Sequence, residues 1–456
     1  MSSRMVKWLI LASVLLITFP VVAGASSSRI AGMGVQGDYI KDYTNIFGYP
    51  SCVPNVGNLV YGEFGVVTDY DDNVSEYFLT EDRAVGAVLG NLFDGKYGTL
   101  GFHMREYKPP MGFSSQPYVT FDASENYEYL FGTGFETFAP FSMDPNTPGE
   151  TGYTPYWNGY GTEAFDLMWG KKFDKLSLGL RLNRSFYKET FTSGTTESTF
   201  EGHEPFDRNL FGLGVGLGYE HSATLQSELG VLYESRTFKW DYANGDLREN
   251  DGGGAYLVSA RGMWQWQPNV LVVPVVRFYS FDASTKFTPD GGTAEKVLDK
   301  LNGWQGGVAG NWTLNEKDLF VAGVTFASNV EKFETEFEKD KYTESLMPTM
   351  FASLETKVNS WLTLRFGGRK GVFYSFKSEE TTIDSETLEG TTDESKESNS
   401  PFQFFTGAGV KLGSLQFDAV LAQDFFHNPA TYVTGSPNGQ NYYAPLFPKV
   451  TATYTF

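Results

Sequence analysis

Apolar and polar residues alternate with a period of two along most of the chain. In 176–183 (LSLGLRLN), the Leu side chains share one face of a predicted strand, and the Ser, Gly, Arg and Asn side chains share the other. Residues 211–219 repeat the alternation with Gly on the second face. This period predicts β-strands with one apolar face. The segments that follow it are 58–68, 83–93, 97–107, 162–172, 176–189, 209–220, 224–240, 254–267, 269–282, 301–314, 318–329, 345–358, 361–376, 402–413, 415–426 and 446–456.

The lengths of the connections between these segments decide the kind of β fold. Every second connection is a tight turn, as at 173–175 and 315–317, whereas the others are long, polar and rich in acids. Membrane barrels show this order, with short periplasmic turns and long outer loops, and a soluble β-sandwich has no physical reason to keep it. The sequence therefore predicts an all-β fold, in which 57–456 forms a single transmembrane antiparallel β-barrel of about 16 strands, with 14 as the alternative.

Aromatic residues support a membrane location. Five tryptophans fall within a few residues of a short turn, which indicates an amphipathic belt at one membrane interface. They are Trp169, Trp264, Trp266, Trp312 and Trp361. The last residues, 450–456, alternate and end on Phe456, which resembles the terminal strand of bacterial outer-membrane proteins. That resemblance implies recognition of Phe456 by the barrel assembly machinery, and the predicted surroundings are outer-membrane lipid and lipopolysaccharide.

The first 25 residues are typical of an export signal that is removed. Arg4 and Lys7 form a basic start, 8–22 is an apolar core, and Ala23 to Ala25 form a small-residue cleavage site. The core is shorter than the roughly 20 residues that a spanning helix needs. We therefore predict cleavage after residue 25 and a location in the bacterial outer membrane.

Composition narrows the chemistry. The formal net charge of −20 argues against nucleic acid as a partner. The single cysteine, Cys52, cannot form an internal disulfide, and we interpret it as a small buried residue. The four histidines are scattered without the spacing of a metal site, and no serine-hydrolase elbow is present. The sequence therefore predicts no enzyme activity, no metal and no cofactor; a barrel hydrolase built from distant strands is the least favoured alternative.

Residues 26–56 precede the first predicted strand and carry a Gly-rich run followed by a motif with Asp42, Ile46 and Pro50. This stretch resembles the start of the FadL-type outer-membrane transporter superfamily, although Tyr49 stands where that family usually has Asn. The resemblance implies an N-terminal hatch that folds into the barrel and plugs the lumen. A plain periplasmic tail is the alternative. The residues assigned to the predicted hatch are Gly32, Gly34, Asp42, Ile46, Phe47 and Pro50.

Charged residues on the polar strand faces should line the lumen, because a charge facing lipid near the midplane costs roughly 2–4 kcal/mol. The arginines among them either guide anions through the lumen or pair with acidic residues and with the plug. In the second case, Asp42 could pair with Arg365 or Arg277. The predicted lumen-lining residues are Arg105, Arg181, Arg261, Arg277, Arg365, Arg369, Asp166, Glu355 and Asp418.

Two long connections have unusual compositions. Residues 108–161 are rich in aromatic residues, which predicts a loop that packs inward as a constriction or outward as a lid. Residues 377–400 are acidic and of low complexity, which predicts a mobile outer loop.

The function predicted from these features is that of an outer-membrane channel or transporter. It would pass small solutes, with hydrophobic or amphipathic ones as a narrower hypothesis, by passive diffusion through a partly plugged barrel. The alternative is a structural or partner-binding barrel with no transport. The oligomeric state is left open. Deleting residues 26–55 is expected to raise conductance without preventing assembly.

Overall fold

The computed structural model describes residues 26–71, 76–90, 95–108, 162–193, 202–241, 245–282, 284–336, 338–383, 390–400, 402–421 and 446–456. The predicted signal segment and nearly all of the aromatic connection 108–161 lie outside these residues. No helix in the described ranges is long and apolar enough to span a membrane.

Antiparallel strands make up most of the described chain. Their bounds are β1 (Leu59–Asp71), β2 (Glu76–Leu89), β3 (Thr99–Lys108), β4 (Thr162–Phe173), β5 (Leu176–Ser193), β6 (Gly202–Ser222), β7 (Leu225–Asp241), β8 (Leu247–Asn250), β9 (Gly254–Gln267), β10 (Val270–Asp282), β11 (Thr285–Thr288), β12 (Glu295–Thr313), β13 (Asp318–Glu334), β14 (Glu338–Lys357), β15 (Leu362–Gly371), β16 (Tyr374–Ile383), β17 (Gly390–Asn399), β18 (Phe402–Leu412), β19 (Leu415–Val420) and β20 (Lys449–Thr455).

The sheet closes on itself. Strands that follow one another along the wall pair in antiparallel fashion, and β1 pairs with β20 from Leu59↔Thr455 to Gly65↔Lys449. The 16 strands of the wall are β1–β7, β9, β10, β12–β15 and β18–β20, while β8, β11, β16 and β17 extend it at the end away from the short turns. The prediction of a 16-stranded transmembrane barrel is confirmed.

The two faces of each strand differ as the alternation predicts. On β6, the outward side chains of Leu213, Val215 and Leu217 are 46%, 41% and 42% exposed, whereas the intervening glycines point inward and are buried. On β5, Leu180 and Leu182 are likewise exposed. An apolar outer surface on a closed sheet faces lipid.

The prediction that 377–400 is a loop is wrong in part. Within it, β16 and β17 form a hairpin that continues β15 and β18 beyond the membrane. β16 also pairs with β14, and Lys341 Nζ lies 2.9 Å from Glu379 Oε2 across that pairing. The residues of this hairpin are largely polar, so no apolar alternation marks it in the sequence. β6 likewise begins at Gly202, seven residues before the predicted start.

Candidate functional site

Residues 26–56, called the N-terminal segment below, fold into four short helical turns. These are α1 (Ser27–Met33), a 3₁₀ turn η1 (Gly37–Tyr39), α2 (Asn45–Gly48) and a 3₁₀ turn η2 (Pro50–Asn55). Ser26 caps α1, since its Oγ accepts a hydrogen bond of 3.1 Å from the Arg29 amide. Gly34 ends α1 with a φ of 61°, a left-handed conformation that favours glycine.

The N-terminal segment contacts the inner wall on several sides. Ser28 Oγ lies 2.7 Å from Thr451 Oγ1 on β20, and Asn311 Nδ2 on β12 donates to the Tyr39 carbonyl at 2.9 Å. η2 packs on β4, β5 and β6. Because these strands belong to different parts of the closed wall, the N-terminal segment lies inside the ring of strands.

Buried ion pairs join α1 to β14, β15 and β19. Arg29 Nε and Nη2 donate to the two carboxylate oxygens of Glu355 at 2.7 and 2.8 Å. Arg365 Nε donates to Glu355 at 2.7 Å, and Arg365 Nη2 lies 2.7 Å from Asp418. Asp418 also accepts from Ser26 Oγ at 3.0 Å. All these side chains are buried, so each charge depends on its partners for stabilisation.

A second group of contacts joins the middle of the N-terminal segment to β7, β9 and β10. Arg261 Nε donates to Glu228 at 2.6 Å, and its Nη1 donates to the Asp38 carbonyl at 2.8 Å. The Arg261 guanidinium also lies 4.5 Å from the centre of the Tyr49 ring. Arg277 on β10 forms a close ion pair with the Asp38 carboxylate.

Two further wall arginines donate to backbone oxygens of the N-terminal segment. Arg181 Nε donates to Asp166 at 2.7 Å, and its Nη1 donates to the Phe47 carbonyl at 2.8 Å. Arg369 Nη2 donates to the Gly34 carbonyl at 3.1 Å. A guanidinium presents several donors in fixed geometry, which suits it to bind a carboxylate and a carbonyl together.

Inward glycines of the wall give the backbone of the N-terminal segment room to approach. A Cβ built on Gly179 would lie 2.0 Å from the Pro50 oxygen, and one on Gly216 would lie 2.3 Å from the Ser51 nitrogen. A Cβ on Gly230 would lie 2.0 Å from the oxygen of Gly48. These distances are far below van der Waals contact, so a larger residue cannot occupy these positions without displacement.

The six predicted hatch residues are all buried and lie inside the ring of strands. Of the predicted lumen residues, Arg105 on β3 is half-buried, while the others are buried and take part in the contacts above. The suggested pairing of Asp42 with Arg365 or Arg277 is wrong, because Asp42 Oδ2 lies 3.5 Å from Arg29 Nη1.

Sequence reasoning missed Arg29 and Asp38. Both lie outside any strand pattern, and their partners Glu355 and Arg277 are 326 and 239 residues away along the chain. The only available signal was that both charges precede the first strand in a segment otherwise rich in apolar residues.

No protein-family model matches the sequence, and no curated protein matches it either. The fold is similar to that of the toluene transporter TodX of Pseudomonas putida, with 11% identity, coverage of 95% of this chain and 99% of that chain, and a TM-score of 0.37. A FadL homologue of Pseudomonas aeruginosa has 10% identity, coverage of 95% and 99%, and a TM-score of 0.43. The siderophore receptor PirA of Acinetobacter baumannii has 9% identity, coverage of 80% and 62%, and a TM-score of 0.31. Because these scores and identities are low, the fold assignment stands on the strand pairings, and no function follows from them.

The inner wall has a different character towards the outer end. There, side chains from β6, β7, β9, β10 and β12 form a contiguous apolar patch, with the buried charged residues Glu234, Arg236 and Asp299 beside it. It consists of Leu210, Leu232, Ala255, Leu257, Tyr279, Phe281 and Leu301. Within the described ranges, no group of three or more His, Cys, Asp or Glu residues is arranged to hold a metal ion.

Cys52 is buried in η2, where its sulfur lies 3.5 Å from Arg261 Nη2. Burial raises the pKa of this thiol despite the neighbouring guanidinium. A thiol that resists ionisation is a poor nucleophile, which agrees with its interpretation as a small buried residue.

Proposed function

We propose that this protein is an outer-membrane transporter that passes small apolar or amphipathic solutes through a barrel closed at rest by the N-terminal segment. The observation that carries this proposal is the way the N-terminal segment contacts the inner wall on several sides. Buried contacts to β5, β9, β12, β15 and β20 hold it across the passage. A segment held in this way acts as a hatch.

The apolar patch supports the class of solute. A water-filled general porin lines its lumen with polar residues. Here the inner face above the N-terminal segment carries leucine and aromatic side chains such as Leu257 and Phe281. These side chains are 1–5% exposed because they pack on one another, so a solute with an apolar part would gain free energy there only once they part.

The first test is conductance in planar bilayers. Wild type should conduct little, and Arg369→Ala should open more often, because the Gly34 carbonyl loses a hydrogen-bond donor. Arg184→Ala is the matched control, since Arg184 is an exposed arginine on the outward face of β5. A wild-type conductance like that of an unplugged porin would contradict the closed resting state.

The second test compares solutes in proteoliposomes. Arg369→Ala should pass an amphipathic probe, such as a short-chain fatty acid, faster than a sugar of similar size. Equal rates would exclude apolar selectivity. If neither wild type nor variant passes any probe, the protein is a structural or partner-binding barrel.

The deletion of residues 26–55 is a further test. It would take the carbonyl oxygens of Phe47 and Asp38 from Arg181 and Arg261, but water would fill the vacated space and both guanidinium groups would keep their acidic partners, Asp166 and Glu228. The deletion should therefore raise conductance without preventing assembly.

A further inference from the structure

Three lysines from neighbouring strands lie directly opposite one another on the outer surface of the barrel. The register pairs Lys300 of β12 with Lys332 of β13, and Lys332 with Lys341 of β14. Asp299 and Asp340, the chain neighbours of the outer two, are buried and point inward, so the lysines point outward. Lys300 and Lys341 have side chains 40% and 43% exposed, and Lys332 is exposed.

The row lies just beyond the apolar band. On β12 the outward Trp304 is 38% exposed and stands opposite Phe278, which is 53% exposed. An outward aromatic pair at the end of the band away from the short turns marks the outer membrane interface. Lys300 precedes Trp304 by four residues, so it lies about 13 Å further along the strand towards the outer end. This distance places the lysine row at the level of lipid headgroups.

The positive charge of the row is only partly compensated. Lys300 Nζ lies 2.9 Å from Asp282, and Lys341 Nζ lies 2.9 Å from Glu379. In the part of the chain that the structure describes, no carboxylate lies within 4 Å of the central Lys332. Glu334, the next acid on the same face, is two residues further from the membrane.

Like charges directly opposite one another destabilise a sheet. This arrangement stands out in a chain with a formal net charge of −20. An anion bound between the lysines would remove the repulsion, and headgroup phosphates are the anions present at this level of the outer leaflet. Lysine binds phosphate as a compact point charge with rotatable donors.

We propose that Lys300, Lys332 and Lys341 form a binding site for a phosphate group of lipopolysaccharide, on the outward face of β12–β14. This site rests on the proposed outer-membrane location but is independent of transport. Lys332 provides the free ammonium group, while Lys300 and Lys341 exchange part of their pairing with Asp282 and Glu379 for contact with the phosphate.

The test is binding of bisphosphorylated lipopolysaccharide to the purified full-length protein in detergent, followed by native mass spectrometry. One lysine near an anionic lipid surface contributes about 1 kcal/mol, or roughly a five-fold change in affinity. Lys332→Gln should therefore bind about five-fold more weakly, and the triple Lys→Gln variant roughly a hundred-fold more weakly. Lys317→Gln, an exposed lysine in a short turn at the opposite end, should bind as wild type does.

Thermal unfolding without lipid separates binding from folding. Lys332→Gln should unfold at the same temperature as wild type or slightly higher, because it removes repulsion between opposite lysines. Adding lipopolysaccharide should then raise the unfolding temperature of wild type more than that of the variant. Unchanged affinity of the triple variant would overturn the proposal. So would equal binding of dephosphorylated lipopolysaccharide, or reproduction of the whole effect by inorganic phosphate alone.

Conductance keeps this inference distinct from the proposed function. Lys332→Gln should conduct as wild type does, since Lys332 faces away from the lumen. If lipid binding falls while conductance is absent even in the wild type, the lysine site stands and the transport proposal fails.

Discussion

The wall beside η2 and the wall beside α1 hold the same short segment by different means. Next to η2, Gly179 and Gly216 leave room for backbone atoms to approach more closely than any side chain would permit. Next to α1, Glu355 and Asp418 surround the Arg29 and Arg365 side chains with opposite charge. The contact at η2, which has no charged residue, depends on shape. The contact at α1 adds charge to shape, since a Cβ on Gly367 would lie 1.9 Å from the Met33 oxygen. A substitution beside η2 and a substitution beside α1 should therefore lower the free energy of unfolding by different amounts.

The largest expected effect is at the charged wall. Glu355→Gln removes the carboxylate that Arg29 and Arg365 share, although each keeps a second acid, and breaking a buried ion pair costs up to about 3–5 kcal/mol. The free energy of unfolding in urea, followed by tryptophan fluorescence in detergent, measures the loss. Glu220→Gln is the control, because its pair with Lys172 is exposed and contributes at most about 1 kcal/mol. Equal losses in the two variants would show that the α1 contact is not electrostatic.

A smaller effect is expected at the glycine wall. Gly216→Ala places a Cβ 2.3 Å from the Ser51 nitrogen, and overpacking of this kind costs roughly 1–3 kcal/mol. The same measurement applies. Gly218→Ala, two residues along β6, meets its nearest atom, Cβ of Ser177, only at 3.3 Å and should cost clearly less than Gly216→Ala. If both variants are neutral, the N-terminal segment is not held by shape at β6.

The smallest effect on stability is expected for Asp42, which lies between α1 and η2 in the sequence. Burial raises the pKa of this carboxyl, and the opposing attraction of Arg29 only partly offsets it. A raised pKa in the folded state favours folding at low pH, and this contribution is lost as pH rises through the folded-state pKa. Asp42→Asn should therefore gain stability relative to wild type as the pH rises from about 3 towards 7. Unfolding temperatures of both proteins across this range measure the difference, and a constant difference would contradict the assignment.

The strands could be predicted from the sequence because one face of each meets lipid. All 16 wall strands lie where the alternation places them, as on β5, where Leu180 and Leu182 face outward and Arg181 faces inward. The β16–β17 hairpin could not be predicted, since its largely polar residues show no period-two alternation. The ion-pair partners within the site could not be predicted either. Asp38 and Arg277 meet only because the strands close into a ring, and no sequence pattern near either residue indicates the other.

The position of the N-terminal segment also constrains the order in which the molecule assembles. Ser26 meets Asp418 across 392 residues of chain, yet the ring is sealed by the pairing of β1 with β20. Once that seam has formed, the N-terminal segment can reach its glycine-lined sites only through an end of the ring. Its partners Asp418 and Thr451 lie on β19 and β20, so docking cannot be completed before those strands have joined the wall. Contacts of such long sequence separation form slowly, so docking of the N-terminal segment should be a late step.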